Sequence, residues 1–125
     1  MQVTYKKHIN VDNNNRVEFL LINWDYVDGG DYLAKIFCKE FGMSAEEKVD
    51  NIFFSIIKLH SNEGTYELMW HEDFGNIIYS MEQEEAVVDT LEQRLKVALS
   101  ILNEKLKFPL SSVLVSFCCL NKSTA

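Results

Sequence analysis

The 125-residue chain contains one proline, five glycines and three cysteines, and its 12 Lys and Arg are outnumbered by 19 Asp and Glu. Each scarcity excludes something. So little Pro and Gly rules out a linker-like or collagenous chain and leaves long segments free to form regular structure. Cys38, Cys118 and Cys119 are odd in number and two are adjacent, a poor basis for a disulfide framework. They read as reduced or buried thiols. The sharper alternative, a redox or metal pair at Cys118 and Cys119, lacks a second ligand pair at zinc-site spacing. The formal charge of −7 argues against nucleic acid or anionic membrane as the main partner, because a polyanion must be met by clustered Lys and Arg. No run approaches the ~20 apolar residues that cross a bilayer. The opening MQVTYKKHIN has no apolar segment behind its lysines of the kind a signal peptide needs, so a cytoplasmic location is expected.

What is present is globular in character. Apolar residues make up 47% and charged residues 25%, and the length suits one domain over residues 1–125. Residues 2–11 and 16–24 are rich in β-branched and aromatic side chains. Between them Asp12, Asn13, Asn14 and Asn15 suit a hairpin turn. In the second run Val17, Phe19 and Leu21 fall on one face, and Glu18, Leu20 and Ile22 on the other.

Asp31 reads as the cap of a helix with Leu33, Ile36, Phe37 and Phe41 on one stripe, stopped by Gly42. Ser44 and Glu47 form a capping box that predicts one or two further helical turns, to about residue 51. Residues 52–60 (IFFSIIKLH), 65–71 (TYELMWH) and 76–81 (NIIYSM) predict a three-strand meander turning at 61–64 and 72–75. That loop length sets residue 60 opposite 65 and residue 71 opposite 54. A long helix is expected over residues 83–107, from the repeat of Val88, Leu91, Leu95, Ala98, Leu102 and Leu106. Residues 109–125 follow as an edge strand (SSVLVSFCCL at 111–120) or a loosely ordered tail.

The order β-β-α-β-β-β-α predicts an α+β fold: an antiparallel sheet of about five to six strands with helices mainly on one face. The other face is then wet, covered by the tail or buried by a partner.

Reaction motifs are scarce. His8, His60 and His71 have no helical zinc spacing, and no metal or cofactor is expected. Asp25, Asp28 and Asp31 recur every third residue beside two glycines, but a calcium loop places acids at alternate positions and ends in a bidentate Glu. A turn followed by a helix cap is the simpler reading. His71 beside Glu72 and Asp73 has the composition of an acid–base group, yet neighbours on a strand point to opposite faces. What remains is a binding surface in which acids mix with aromatics: Trp24, Asp25, Tyr26, Asp28, Asp31, Glu63, Glu67, Trp70, His71, Glu72 and Asp73, with Glu82, Glu84 and Glu85 adding charge. Such a surface steers a cationic partner and anchors it by ring contacts.

In size, charge and α+β pattern the chain resembles the small immunity proteins that neutralise bacterial polymorphic or contact-dependent toxins. The resemblance is one of type over the whole chain and assigns no site. It implies one-to-one inhibition of a cognate toxin domain, often a basic nuclease, by covering its active cleft. It leaves monomer or homodimer open. Two alternatives stand beside it: an acidic, dimeric adaptor resembling secretion chaperones, which typically begin with a helix, and a small enzyme using His71 with Glu72 or Asp73.

Overall fold

A computed structural model describes residues 2–107. The tail expected at 109–125 lies outside the described residues. The strands are β1 (Thr4–Asn10), β2 (Arg16–Ile22), β3 (Ser44–Ala45), β4 (Val49–Asp50), β5 (Phe54–His60), β6 (Thr65–His71) and β7 (Gly75–Ser80). Two helices, α1 (Gly29–Phe41) and α2 (Glu85–Lys105), complete the α+β fold. The sheet is antiparallel in every pairing, in the order β1-β2-β7-β6-β5-β3, and β4 also pairs with β5. It has more strands than the sequence pattern predicts, because the link between α1 and β5 forms two short ones.

That link corrects an expectation. The capping box at Ser44 and Glu47 predicts helix, but the segment extends along β5 instead. Ser44 and Ala45 pair with His60 and Leu59, Glu46 N–H donates to Lys58 O (2.9 Å), and Val49 and Asp50 pair with Ile56 and Ser55. The open edge of β5 offers unsatisfied backbone groups along its whole length, and filling them outweighs the weak preference of one capping box. The α1 cap also moves. The helix begins at Gly29 with Asp28 at its N-cap and Asp31 in its first turn, and it ends as expected on left-handed Gly42.

The hairpin registers follow loop length. His60 faces Thr65, and Phe54 faces His71. Alternation then divides the sheet by face. Phe19, Leu21, Ile57, Leu59, Tyr66, Leu68 and Ile78 share one core cluster with Leu33 and Phe37 of α1 and Leu91, Leu95 and Leu102 of α2. Both helices therefore lie on one face. Val3 N–H donates to Asn103 Oδ1 (2.8 Å) and Asn103 Nδ2 donates to Val3 O (2.9 Å), which ties the last turn of α2 to the entry of β1. No helix among the described residues is long and apolar enough to cross a membrane.

The opposite face carries two distinct rows. Leu20, Ile77, Met69, Ile56 and Val49 stand side by side across five strands, an unbroken apolar row. The next row reads His8, Glu18, Tyr79, Glu67 and Lys58. Its charges are paired. Arg16 donates to Glu18 Oε2 through Nε (2.9 Å) and Nη2 (2.6 Å), and its guanidinium lies 3.6 Å over the Tyr79 ring. Asn10 adds a third donor to the same carboxylate oxygen (3.1 Å). Glu18 is only 4% exposed, and a carboxylate that dry persists because a guanidinium and an amide satisfy it. Tyr79 donates to Glu67 Oε1 (2.5 Å), whose other oxygen is 3.9 Å from Lys58 Nζ.

Candidate functional site

One end of the sheet gathers three loops: residues 23–28 between β2 and α1, 51–53 between β4 and β5, and 72–74 between β6 and β7. The first is set by Asn23, whose left-handed backbone (φ +66°) ends β2 and turns Trp24 inward. Trp24 is 4% exposed and donates from Nε1 to Gly29 O (3.0 Å). Asn76 on β7 holds the loop by donating from Nδ2 to Trp24 O (2.7 Å) and Tyr26 O (2.9 Å). Gly29 is required beside it, because a Cβ there would sit 2.6 Å from both Asn76 Nδ2 and Trp24 Nε1. Trp70, half-buried, donates from Nε1 to Asp25 O (3.2 Å), and Glu72 N–H donates to Phe53 O (3.0 Å). The three loops are thus cross-tied.

Their outward side chains alternate between carboxylates and bare apolar groups. Asp25, Asp28, Asp50, Glu72 and Asp73 are exposed or nearly so, interleaved with Tyr26 (64% exposed), Val27, Ile52 (84%), Phe53 and Phe74 (61%). Tyr26 rests edge-on against Trp24, its ring centroid 5.0 Å away, so a buried ring stiffens an exposed one. Lys48 is set into this rim 2.9 Å from Asp31 and 4.0 Å from both Asp28 and Asp50. Burial disfavours its ammonium, but the hydrogen bond to Asp31 and the surrounding carboxylates outweigh that and hold its pKa above the ordinary lysine value.

Of the residues singled out by sequence, Asp25, Tyr26, Asp28, Trp70, His71, Glu72 and Asp73 meet at this end. Trp24 belongs to the core, and Asp31 is engaged by Lys48. Glu63 and Glu67 lie elsewhere. Glu63 sits in the hairpin loop at the far end of β6, about 23 Å away at ~3.3 Å per residue, with Arg94 Nε 2.5 Å from its Oε1. Glu67 faces out from the middle of the sheet, bonded to Tyr79. Glu82 is also at the far end, where its Oε2 accepts from Thr65 N–H (2.9 Å), and Gln83 beside it accepts from Val17 N–H (2.8 Å). Val27, Ile52, Phe53 and Phe74 are exposed apolar residues of this rim that sequence reasoning missed. The signal was legible for Phe74, a large ring inside a polar turn.

His71 has a structural job in this turn. Its Nδ1 accepts from Asp73 N–H (3.1 Å) and its ring packs on Phe74 at 4.8 Å, so the neutral ring carries its proton on Nε2. The Asp73 carboxylate stands 4.0 Å from Nδ1. Along the outer side of α1 runs an open groove of about 1030 Å³ whose lining includes Tyr32, Cys38, Ala45, Lys48, Ile101 and Lys105. Burial pushes the Cys38 thiol up, with Lys35 partly offsetting this, so the sulfur is held protonated rather than as a nucleophilic thiolate. Among the described residues no three His, Cys, Asp or Glu side chains converge on a possible metal position. No family model, no curated protein and no solved structure matches the chain.

Proposed function

We propose that the chain is a non-catalytic binding protein of the immunity type, which neutralises a cognate toxin domain by docking its acidic, ring-bearing rim against a basic surface. The observation that carries this reading is the rim itself. Five carboxylates interleave with five exposed apolar side chains on loops tied down by Asn76, Trp70 and Glu72. Loops that are fixed in advance lose little entropy on binding, exposed rings supply contact area, and the acids raise the encounter rate with a cationic cleft. A cytoplasmic bacterial setting belongs to the same proposal.

The test is binding to the product of the adjacent gene. One-to-one association at nanomolar strength is expected, weakening as salt rises, together with protection in a growth assay. Phe74→Ala and the pair Glu72→Lys with Asp73→Lys should each weaken binding about tenfold or more, the charge pair acting mainly on the association rate. Failure to bind or protect against that neighbour removes the proposal.

A further inference from the structure

We infer that the face of the sheet that carries no helix among the described residues is where a second copy of this chain packs, sheet against sheet. This surface is separate from the rim, and the inference does not rest on the proposed function. Its first support is the row of Leu20, Ile77, Met69, Ile56 and Val49, which the register places side by side across β2, β7, β6, β5 and β4. The wet face of an antiparallel sheet is its polar one, so five apolar side chains aligned across this face mark a surface suited to contact rather than to water. Ile22 extends the patch on β2 and is exposed, as is Val49 at the other margin.

Charge decides the occupant. The chain carries −7, yet this face presents Lys6, Arg16 and Lys58 against Glu18 and Glu67, close to neutrality. Arg16 is spent on Glu18, and Lys58 lies 3.9 Å from Glu67. A basic partner gains nothing from such a surface and is drawn to the rim instead. A neutral, apolar-centred face is complementary to its own copy, as an isologous two-fold contact requires.

Size is adequate. The five long strands, β1, β2, β7, β6 and β5, are ~4.8 Å apart and six or seven residues long, and at ~3.3 Å per residue they give about 24 by 23 Å of plan area. With pleat and side-chain relief, that approaches the ~800 Å² of accessible surface per partner typical of a stable interface. A two-fold axis running along the apolar row packs that row on its own mate, with side chains interdigitating at a sheet separation of ~10 Å.

Two chains of like charge joined by an apolar contact associate more strongly as salt rises, the reverse of what the rim predicts for a basic partner. Light scattering on the full chain should therefore show 14.5 kDa doubling, with the dimer gaining as ionic strength goes from about 0.01 M to about 1 M. Met69→Glu and Ile56→Glu should leave it monomeric. Should those two disturb folding, Val49→Glu and Ile22→Glu at the exposed margins cannot bury a charge in the monomer and should still raise the dimer dissociation constant at least tenfold. Glu72→Lys with Asp73→Lys should leave the dimer intact while weakening the rim's partner. A monomer at every salt and concentration overturns the inference, as does a dimer untouched by all four face substitutions.

Discussion

Replacing Asn76 with leucine isolates what fixes the rim. Asn76 is fully buried on β7 and donates two hydrogen bonds from one nitrogen, to Trp24 O at 2.7 Å and Tyr26 O at 2.9 Å. Leucine has nearly the same branching and fills the space, so packing is largely kept and the loss is polar. Trp24 O is left without this donor, at about 1–3 kcal/mol where it stays dry, while Tyr26 O keeps the Gly29 N–H (2.9 Å) as its other donor. The buried Asn76 Oδ1, which has no hydrogen-bond partner, disappears with the substitution and offsets part of the loss. The net cost is about 2 kcal/mol. With a urea m-value of about 2 kcal/mol/M for a domain this size, the unfolding midpoint falls by about 1 M. Trp24 and Trp70 both touch this loop, so their emission should shift to the red in the folded variant, before global unfolding. A midpoint moving by less than about 0.3 M with unchanged emission would refute the claim that Asn76 holds residues 23–28 in place.

Gly29→Ala should cost about 2–3 kcal/mol, because its Cβ would press within 2.6 Å of two hydrogen-bonded nitrogens. Gly42→Ala should cost about 1 kcal/mol, from its left-handed backbone (φ +67°) alone, since nothing crowds that position; thermal melts rank the two. Alkaline titration tests the buried phenols. Burial, reinforced by Glu92 beside Tyr5 and by Glu63 beside Tyr66, pushes both hydroxyls up to about 12, and burial with the Glu67 hydrogen bond raises Tyr79 further. A folded-state pKa above the unfolded value of about 10 favours the folded state while the phenol is protonated, so this stability is complete below pH ~10 and is lost as pH climbs towards 12. Absorbance of phenolate should show Tyr66→Phe removing one late-ionising group, and stability of the parent chain should fall over that window; a flat profile contradicts the burial.

The parts of the fold legible in the sequence are those where one physical signal acts alone. The 61–64 loop length set the β5–β6 register, and the three- and four-residue repeat from Val88 to Leu102 set the buried stripe of α2. Where two signals competed, the nonlocal one prevailed. Residues 44–50 carry a helix-start pattern but are claimed by the edge of β5. Trp24 sits beside acids in sequence, yet Asn23 reverses the backbone and delivers its ring to the core. Acid composition alone grouped Glu63 and Glu67 with Glu72, although a seven-residue strand separates the ends of the hairpin and alternation turns Glu67 onto the open face. Ile52 and Phe53 were absorbed into an apolar run that reads as strand, because composition does not reveal that the strand starts at Phe54.

The amide bridge between Val3 and Asn103 has a bearing on how the molecule is made. Strand β1 pairs with β2 along its full length, but its entry at Val3 is gripped only once a side chain synthesised a hundred residues later arrives. Its neighbour β2 waits likewise for β7. Closure of this fold is therefore a late event, with the β1–β2 hairpin docked at Val3 only when the last turn of α2 exists. A premature stop within that helix leaves a bare apolar sheet face behind, rather than a slightly shortened version of the same protein.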